Sequence, residues 1–253
     1  MRKMIALVAA ALVTFSSAMS TQAMTIEDIA AQDDRVTIEN GELTYYAKNS
    51  DDIWETYRDI IGENVRTHSG YEYTWVSWKN NGNRFKCTID KNQMERILNE
   101  QAWVEDWCRT NVPTFVPNGV DRDVAISMVF HRVVHNFEYD YDLAKNLDTG
   151  NSDYQYAASA YGMLQNRKGV CVGLSQVFRV FLEAVPFDPE TGLVDWSCEN
   201  AEHIKVATVE NNVHMWDAIQ GDDGIWRYYD ATDYSTSTGG ELFDNNGKQQ
   251  WHY

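Results

Sequence analysis

Basic residues are scarce in this chain of 253 residues. Its 21 Lys and Arg stand against 38 Asp and Glu, a formal net charge of −17. A surface so acidic lacks the cationic patch that nucleic acid or anionic lipid requires of a partner. Its carboxylates serve solubility and favour basic partners. Long apolar runs are missing as well, apart from Met4 to Phe15, which is too short for a membrane span of about 20 residues. That run follows Arg2 and Lys3, and Thr21 and Ala23 stand at −3 and −1 before Met24. The pattern predicts a signal peptide over residues 1–23 and a secreted mature chain without membrane insertion. Without those residues, 230 remain, with 19 basic and 38 acidic side chains, enough for one or two buried cores. Cysteine is limited to Cys87, Cys108, Cys171 and Cys198, which in an exported chain suggests two disulfides. No CxxC, no Cys/His zinc spacing and no calcium-loop signature occurs, so neither a metal nor a cofactor is expected. Internal repeats and long low-complexity linkers are absent too.

Aromatic residues, by contrast, are plentiful, with nine Trp and 14 Tyr to furnish a core. Residues 50–64 carry Ile53, Trp54, Tyr57, Ile60 and Ile61 at helical spacing, with Ser50 as a candidate cap. The stretch YEYTWVSWKNNGNRFKCTI holds two β-rich runs around Asn81-Gly82, a hairpin signal. Asp90 with Gln93 opens a helix running to about Cys108. Pro113, Pro117 and Gly119 then punctuate the chain and place a boundary between an N-terminal region, 24–118, and a second unit, 119–253. Ile126, Val129, Phe130, Val133 and Phe137 define another helical face, and residues 156–164 a further helix. From Ile204 the pattern turns to β, in IKVATVE, HMWDAIQ and IWRYYDA. The class is α+β, with a cysteine-bearing helix ahead of an antiparallel sheet.

The stretch KGVCVGLSQVFRVFLEAV carries the most chemistry. Leu174, Val177, Phe178, Phe181, Leu182 and Val185 recur at i, i+3, i+4, i+7, i+8 and i+11, so that face is buried. Cys171 lies one turn earlier on the same face. Its position fits a packing residue, half of a disulfide, or a nucleophile whose thiolate the helix dipole favours. Gly169 and Gly173 allow backbone or ligand to come close. Downstream, residues 213–219 and 225–231 flank a connection of hairpin length. If Ile219 pairs with Ile225, Asp217 faces Arg227 and His214 faces Asp230, with Cβ atoms about 5 Å apart. A helix-tip thiol followed by a histidine and then an acid is the order of nucleophile, base and orienting group.

These segments resemble the transglutaminase-like superfamily, of papain-like cysteine enzyme fold. Residues 156–175 (YAASAYGMLQNRKGVCVGLS) are similar to its cysteine-helix segment. His-Met-Trp at 214–216 and Tyr-Tyr-Asp-Ala-Thr at 228–232 are similar to its His and Asp segments, and ISMVFHRVVHNFEYDYD resembles the helix before them. The resemblance spans about residues 120–235. It implies a papain-like core over 119–253, preceded by a smaller α/β region over 24–118. Cys171 would be the nucleophile, His214 the base and Asp230 the group orienting His214. Leu174 and Asp217 depart from the pattern, which often has an aromatic after the glycine and an asparagine after the tryptophan.

The function this implies is a secreted cysteine enzyme acting on amide bonds of proteins or peptides through a thioester, with Trp216 walling the cleft. Hydrolysis is favoured over cross-linking, because aminolysis outside the cell needs a shielded acceptor channel that no residue here identifies. The alternative is a non-catalytic module of the same fold that binds peptide or cell-wall partners. His131 and His135 share an i, i+4 spacing but lack the glutamate of HExxH and a third ligand, so they read as solvated or packing histidines. His203 and the acidic run at 140–142 read the same way, and Gln165 is a conceivable oxyanion donor.

Overall fold

Short-range signals start each element of the first sheet. The computed structural model describes residues 24–62, 76–145, 152–211, 214–221, 223–233 and 235–238; the predicted signal peptide and residues 63–75 lie outside them. Thr25 and Asp28 form a reciprocal capping box ahead of α1 (Ile26–Gln32). Asn40 and Gly41, at φ 54° and 83°, join β1 (Thr37–Glu39) to β2 (Glu42–Ala47) through the two-residue turn with positive φ that hairpin twist prefers. Helix α2 (Ser50–Gly62) is capped by Asn49, whose Oδ1 accepts from the Asp52 N–H at 2.9 Å; Ser50, the expected cap, is its first helical residue. The hairpin expected at Asn81-Gly82 forms between β3 (Val76–Asn81) and β4 (Arg84–Ile89), with Gly82 at φ 69°. The strands lie in the order β1-β2-β4-β3, each pair antiparallel.

Helix α3 (Lys91–Asn111) begins where the Asp90 carboxylate accepts from the Gln93 N–H at 2.8 Å, the contact expected of that pair. Its Met94, Ile97 and Leu98 join Tyr45, Ile53 and Tyr57 in one apolar cluster. Val104 and Cys108, farther along, join Phe130, Phe178 and Phe181 in a second. The two cores are therefore threaded on one helix.

Past a 3-10 turn at Val112–Thr114, Asp121 caps α4 (Arg122–Asn136) through the Val124 N–H at 2.9 Å. There follow β5 (Glu138–Tyr139), α5 (Tyr141–Ala144), α6 (Ser152–Ala157), α7 (Ala160–Asn166), β6 (Lys168–Gly169) and α8 (Cys171–Glu183). The single helix expected over 156–164 is two, because the Ser159 hydroxyl accepts from the Gly162 N–H at 3.0 Å and starts a new turn. Strands β7 (Ala207–Glu210), β8 (Met215–Gln220), β9 (Trp226–Asp230) and β10 (Ser235–Thr238) form an antiparallel meander in the order β10-β9-β8-β7. The apolar face of α8 is buried as its spacing predicts. Phe178 and Phe181 are 0% exposed, and side chains of this size contribute about 2 kcal/mol each on burial. The architecture is α+β, with the cysteine helix against an antiparallel sheet.

The two expected disulfides do not form: all four cysteines are free thiols. Cys87, Cys108 and Cys171 are buried in three different apolar clusters, and Cys198 is half-buried in the loop after α8. Packing each of the first three into its own cluster separates them. No described helix is long and apolar enough to cross a membrane.

Candidate active site

Cys171 is the first residue of α8, behind Val170 in extended conformation (φ −105°, ψ 176°), and no side chain caps this end. The sulfur therefore stands at the positive end of the helix dipole. Two parallel residue pairs, Glu138 with Lys168 and Tyr139 with Gly169, bring the end of α4 alongside the cysteine. The reason for Gly169 and Gly173 is backbone packing. A Cβ on either would lie 2.4 or 2.3 Å from the Ala157 carbonyl oxygen, and on Gly169 also 2.2 Å from Met163 Sδ. Both glycines let α6 and α7 press against α8, so of the backbone or ligand they were expected to admit, it is backbone that comes close.

The hairpin that carries the histidine and the acid is registered two residues away from expectation. Ile219 pairs with Arg227 and Asp217 with Tyr229, so the expected Asp217–Arg227 pair is not made. The five-residue connection keeps its length but starts at Gly221 instead of Gln220. Asp223 sets this shift: its carboxylate accepts from the Ile225 N–H at 3.0 Å and from the Arg227 guanidinium at 2.8 Å, which captures that cation within the turn. Because the pleat repeats every two residues, a slip of two leaves each side chain on its original face. His214 thus reaches Asp230 diagonally, with Nε2 2.6 Å from Oδ2. Its backbone is tied to Asn211: the His214 N–H donates to Asn211 Oδ1 at 2.8 Å, and the Asn211 N–H to the His214 carbonyl at 2.9 Å.

The imidazole is pushed up to about 10, first by the hydrogen bond to Asp230 and next by one to the Cys171 side chain, against the opposing effect of burial. Burial on its own would raise the Asp230 carboxyl. The His214 hydrogen bond and charge outweigh it, helped by the Thr232 N–H at 2.9 Å, and hold Asp230 below the usual carboxylate range. The pair is an imidazolium and a carboxylate at neutral pH. With Nε2 committed to Asp230, Nδ1 is the ring nitrogen left for the sulfur.

A further residue belongs to this group. The Tyr139 phenol is pushed up to about 12 by burial and by the neighbouring Cys171 side chain. It stays a neutral donor beside the sulfur. The acidic run around it conceals this role, since Asp140 caps α5 through the Leu143 N–H and pairs with Lys168 at 3.2 Å. Only the pairing of Tyr139 with Gly169 reveals the contact, and that pairing has no local signature. Next to the histidine lies a cleft of about 370 Å³ lined by Tyr139, Tyr141, Ala144, Lys145, His214, Thr232 and Asp233. Trp216 stacks on the His214 ring, with centroids 5.7 Å apart and planes at 25°, and packs toward Ala207, Val209 and Ala218.

The other candidates lie apart from this group. His131 and His135 stack on each other along α4, centroids 5.8 Å apart, and line a groove with Phe115, Met128 and Arg132. Among the described residues no three His, Cys, Asp or Glu side chains cluster in a metal-binding arrangement. His203 is lowered by burial and bonds the backbone at Glu183 and Val185, at the far end of α8. Gln165 is exposed on α7.

No protein-family model matches the chain, and no curated protein matches it. A crystal structure of a TGase is similar at 15% identity and a TM-score of 0.35, over 87% of this chain and 60% of that one. The chain thus spans under two thirds of the length of that protein.

Proposed function

We propose that this protein is a secreted, transglutaminase-like cysteine enzyme, with residues 119–253 as the catalytic core, that acts on amide bonds of proteins or peptides. The observation that carries the reading is the His214 ring, bonded at 2.6 Å to Asp230 and held protonated also by the Cys171 side chain at the tip of α8. In this reading the Cys171 thiolate attacks the amide carbonyl and a tetrahedral oxyanion forms. The Cys171 N–H at the helix tip and the Tyr139 hydroxyl are the donors near that oxygen. The imidazolium of His214, oriented by Asp230, gives its proton to the departing amine or ammonia, leaving a thioester. Water then attacks the thioester with His214 as base, releasing a carboxylic acid and restoring the thiol. An amine in place of water would give a new amide. Hydrolysis is the preferred outcome, since water is abundant in the open cleft, and Trp216 supports the imidazole from behind.

The test is alkylation of Cys171 by iodoacetamide at pH 6 in the full chain. The reading expects stoichiometric labelling that is lost in His214→Ala, and release of ammonia or amine from a glutamine-bearing peptide that is lost in Cys171→Ala. An inert thiol would favour the second reading, a non-catalytic module that binds peptide or cell-wall partners. One observation supports that alternative: Cys171 is only 7% exposed.

A further inference from the structure

Among the described residues Tyr141 is the most exposed of the large apolar side chains, at 67%, yet its backbone is firmly held. It is the first residue of α5, a single helical turn that is pinned at its start. The Asp140 N–H donates to the Gly169 carbonyl at 2.6 Å, and the Asp140 carboxylate accepts from the Leu143 N–H at 3.1 Å and pairs with Lys168 at 3.2 Å. The Tyr141 ring meets Tyr139 edge to face, with centroids 4.9 Å apart and planes at 65°, and most of its surface still meets solvent. One exposed aromatic is ordinary on a protein surface. Here, however, both rings line the cleft of about 370 Å³ that also holds His214, a volume within the range of small-ligand pockets. Ala144, one turn after Tyr141, adds a small apolar side chain to the same lining. The charged side chains of the cleft are Lys145, His214 and Asp233. Lys145 also faces Asp142 at 3.7 Å, an exposed pair that solvent screens. Lys145 and the His214 imidazolium oppose a cationic guest, while Asp233, in a chain of net charge −17, opposes an anionic one. What fits is a neutral side chain, and the aromatic wall selects a flat one.

We propose that Tyr141, braced by Tyr139, is the recognition wall for a neutral aromatic side chain of the peptide substrate, on a residue next to the reacting amide. The proposal rests on the reading of the cleft beside His214 as the place where peptide binds, and it names the substrate class. Because His214 lines the same cleft, a side chain stacked on Tyr141 belongs to a neighbour of the residue under attack. Tyr141 thus sets specificity by touching the substrate side chain and leaves the reacting atoms to other groups. Pinning α5 through Asp140 fixes the ring before binding, so little freedom is lost when the guest arrives.

The experiment is calorimetric titration of the full chain carrying Cys171→Ala, which binds without turnover. The probes are three capped glutamine peptides that differ only in the residues flanking the glutamine, which are Phe, Lys or Ala. The Phe peptide binds about tenfold more tightly than the Ala peptide, the scale expected for one ring laid against an aromatic wall. The Lys peptide gains nothing over the Ala peptide. Adding Tyr141→Ala abolishes the difference between the Phe and Ala peptides, whereas Tyr141→Phe, which keeps the ring and drops only the hydroxyl, retains it. The comparison is made within one protein, so a general weakening of the fold does not imitate the result. An undiminished Phe preference in Tyr141→Ala would overturn the proposal. So would a parent that binds the Phe and Ala peptides alike, prefers the Lys peptide or binds none of the three. A Phe preference intact beside a Cys171 that is inert to iodoacetamide in the unsubstituted chain overturns the enzyme reading and leaves the aromatic wall standing. Glutamine hydrolysis without a Phe preference does the reverse.

Discussion

Replacing Asp230 by Asn removes the charge that holds the His214 imidazolium, and its effect on stability depends on pH in a direction the structure sets. A histidine whose folded value is raised from 6.5 to about 10 contributes stability that is fully present below pH 6.5 and lost as pH climbs through 10. Asp230, held below its usual range, contributes stability present above about pH 4 and lost as pH falls. The pair is therefore worth most between about pH 4 and 6.5. The whole histidine shift would correspond to about 5 kcal/mol at 1.36 kcal/mol per pH unit. Two considerations reduce that figure: Cys171 supplies part of the shift, and the two side chains are 25% and 17% exposed, so solvent screens them. Hydrogen bonds to charged groups contribute about 1.5–3 kcal/mol, and a loss near 2 kcal/mol is expected for Asp230→Asn at pH 5.5. For a chain of this length that is a fall of about 4–8 °C in Tm. At pH 10.5 the variant and the parent should differ by under about 1 kcal/mol, because the parent's imidazole is then neutral. Chemical denaturation at the two pH values checks this. A destabilisation equal at both, or larger at pH 10.5, would refute the ion-pair account.

The remaining predictions concern burial and close packing. Asp217 is raised by burial, so its cost is absent below the unfolded carboxyl value of 3.8 and grows as pH rises toward its folded value, at up to about 1.4 kcal/mol per pH unit. Asp217→Asn should flatten that slope and be more stable than the parent at pH 7 but not at pH 3.5, as read from denaturation midpoints. Gly173→Ala places a Cβ 2.3 Å from the Ala157 carbonyl oxygen and should destabilise by about 1–3 kcal/mol, with slower alkylation of Cys171 as α8 is displaced. Phe181→Ala empties a fully buried position stacked on Trp107 and should cost about 3–5 kcal/mol in a urea titration.

How much of this was legible in the sequence depended on range. The Asp90–Gln93 cap, the Asn81-Gly82 hairpin and the buried face of α8 are each specified by residues within a turn or two of one another, and the sequence alone predicts all three. The turn at Asn40-Gly41 and the cap at Asn49 rest on the same short-range chemistry. The order cysteine, histidine, acid could also be read directly. Its geometry survived a wrong register only because the slip was by two residues, an even number.

The sequence by itself determined the α+β class, the helix that begins at Cys171 and the antiparallel strands that follow, because periodicity and capping act through neighbours in the chain. Only the tertiary structure decided that Asp223 captures Arg227 and moves the register, that Tyr139 reaches the sulfur, that the cysteines stay apart and that Asp217 is sealed beneath α8. Each of those outcomes depends on which distant segments exclude water together. Burial sets both the protonation of Asp217 and the separation of the thiols, and no local pattern encodes which segments meet.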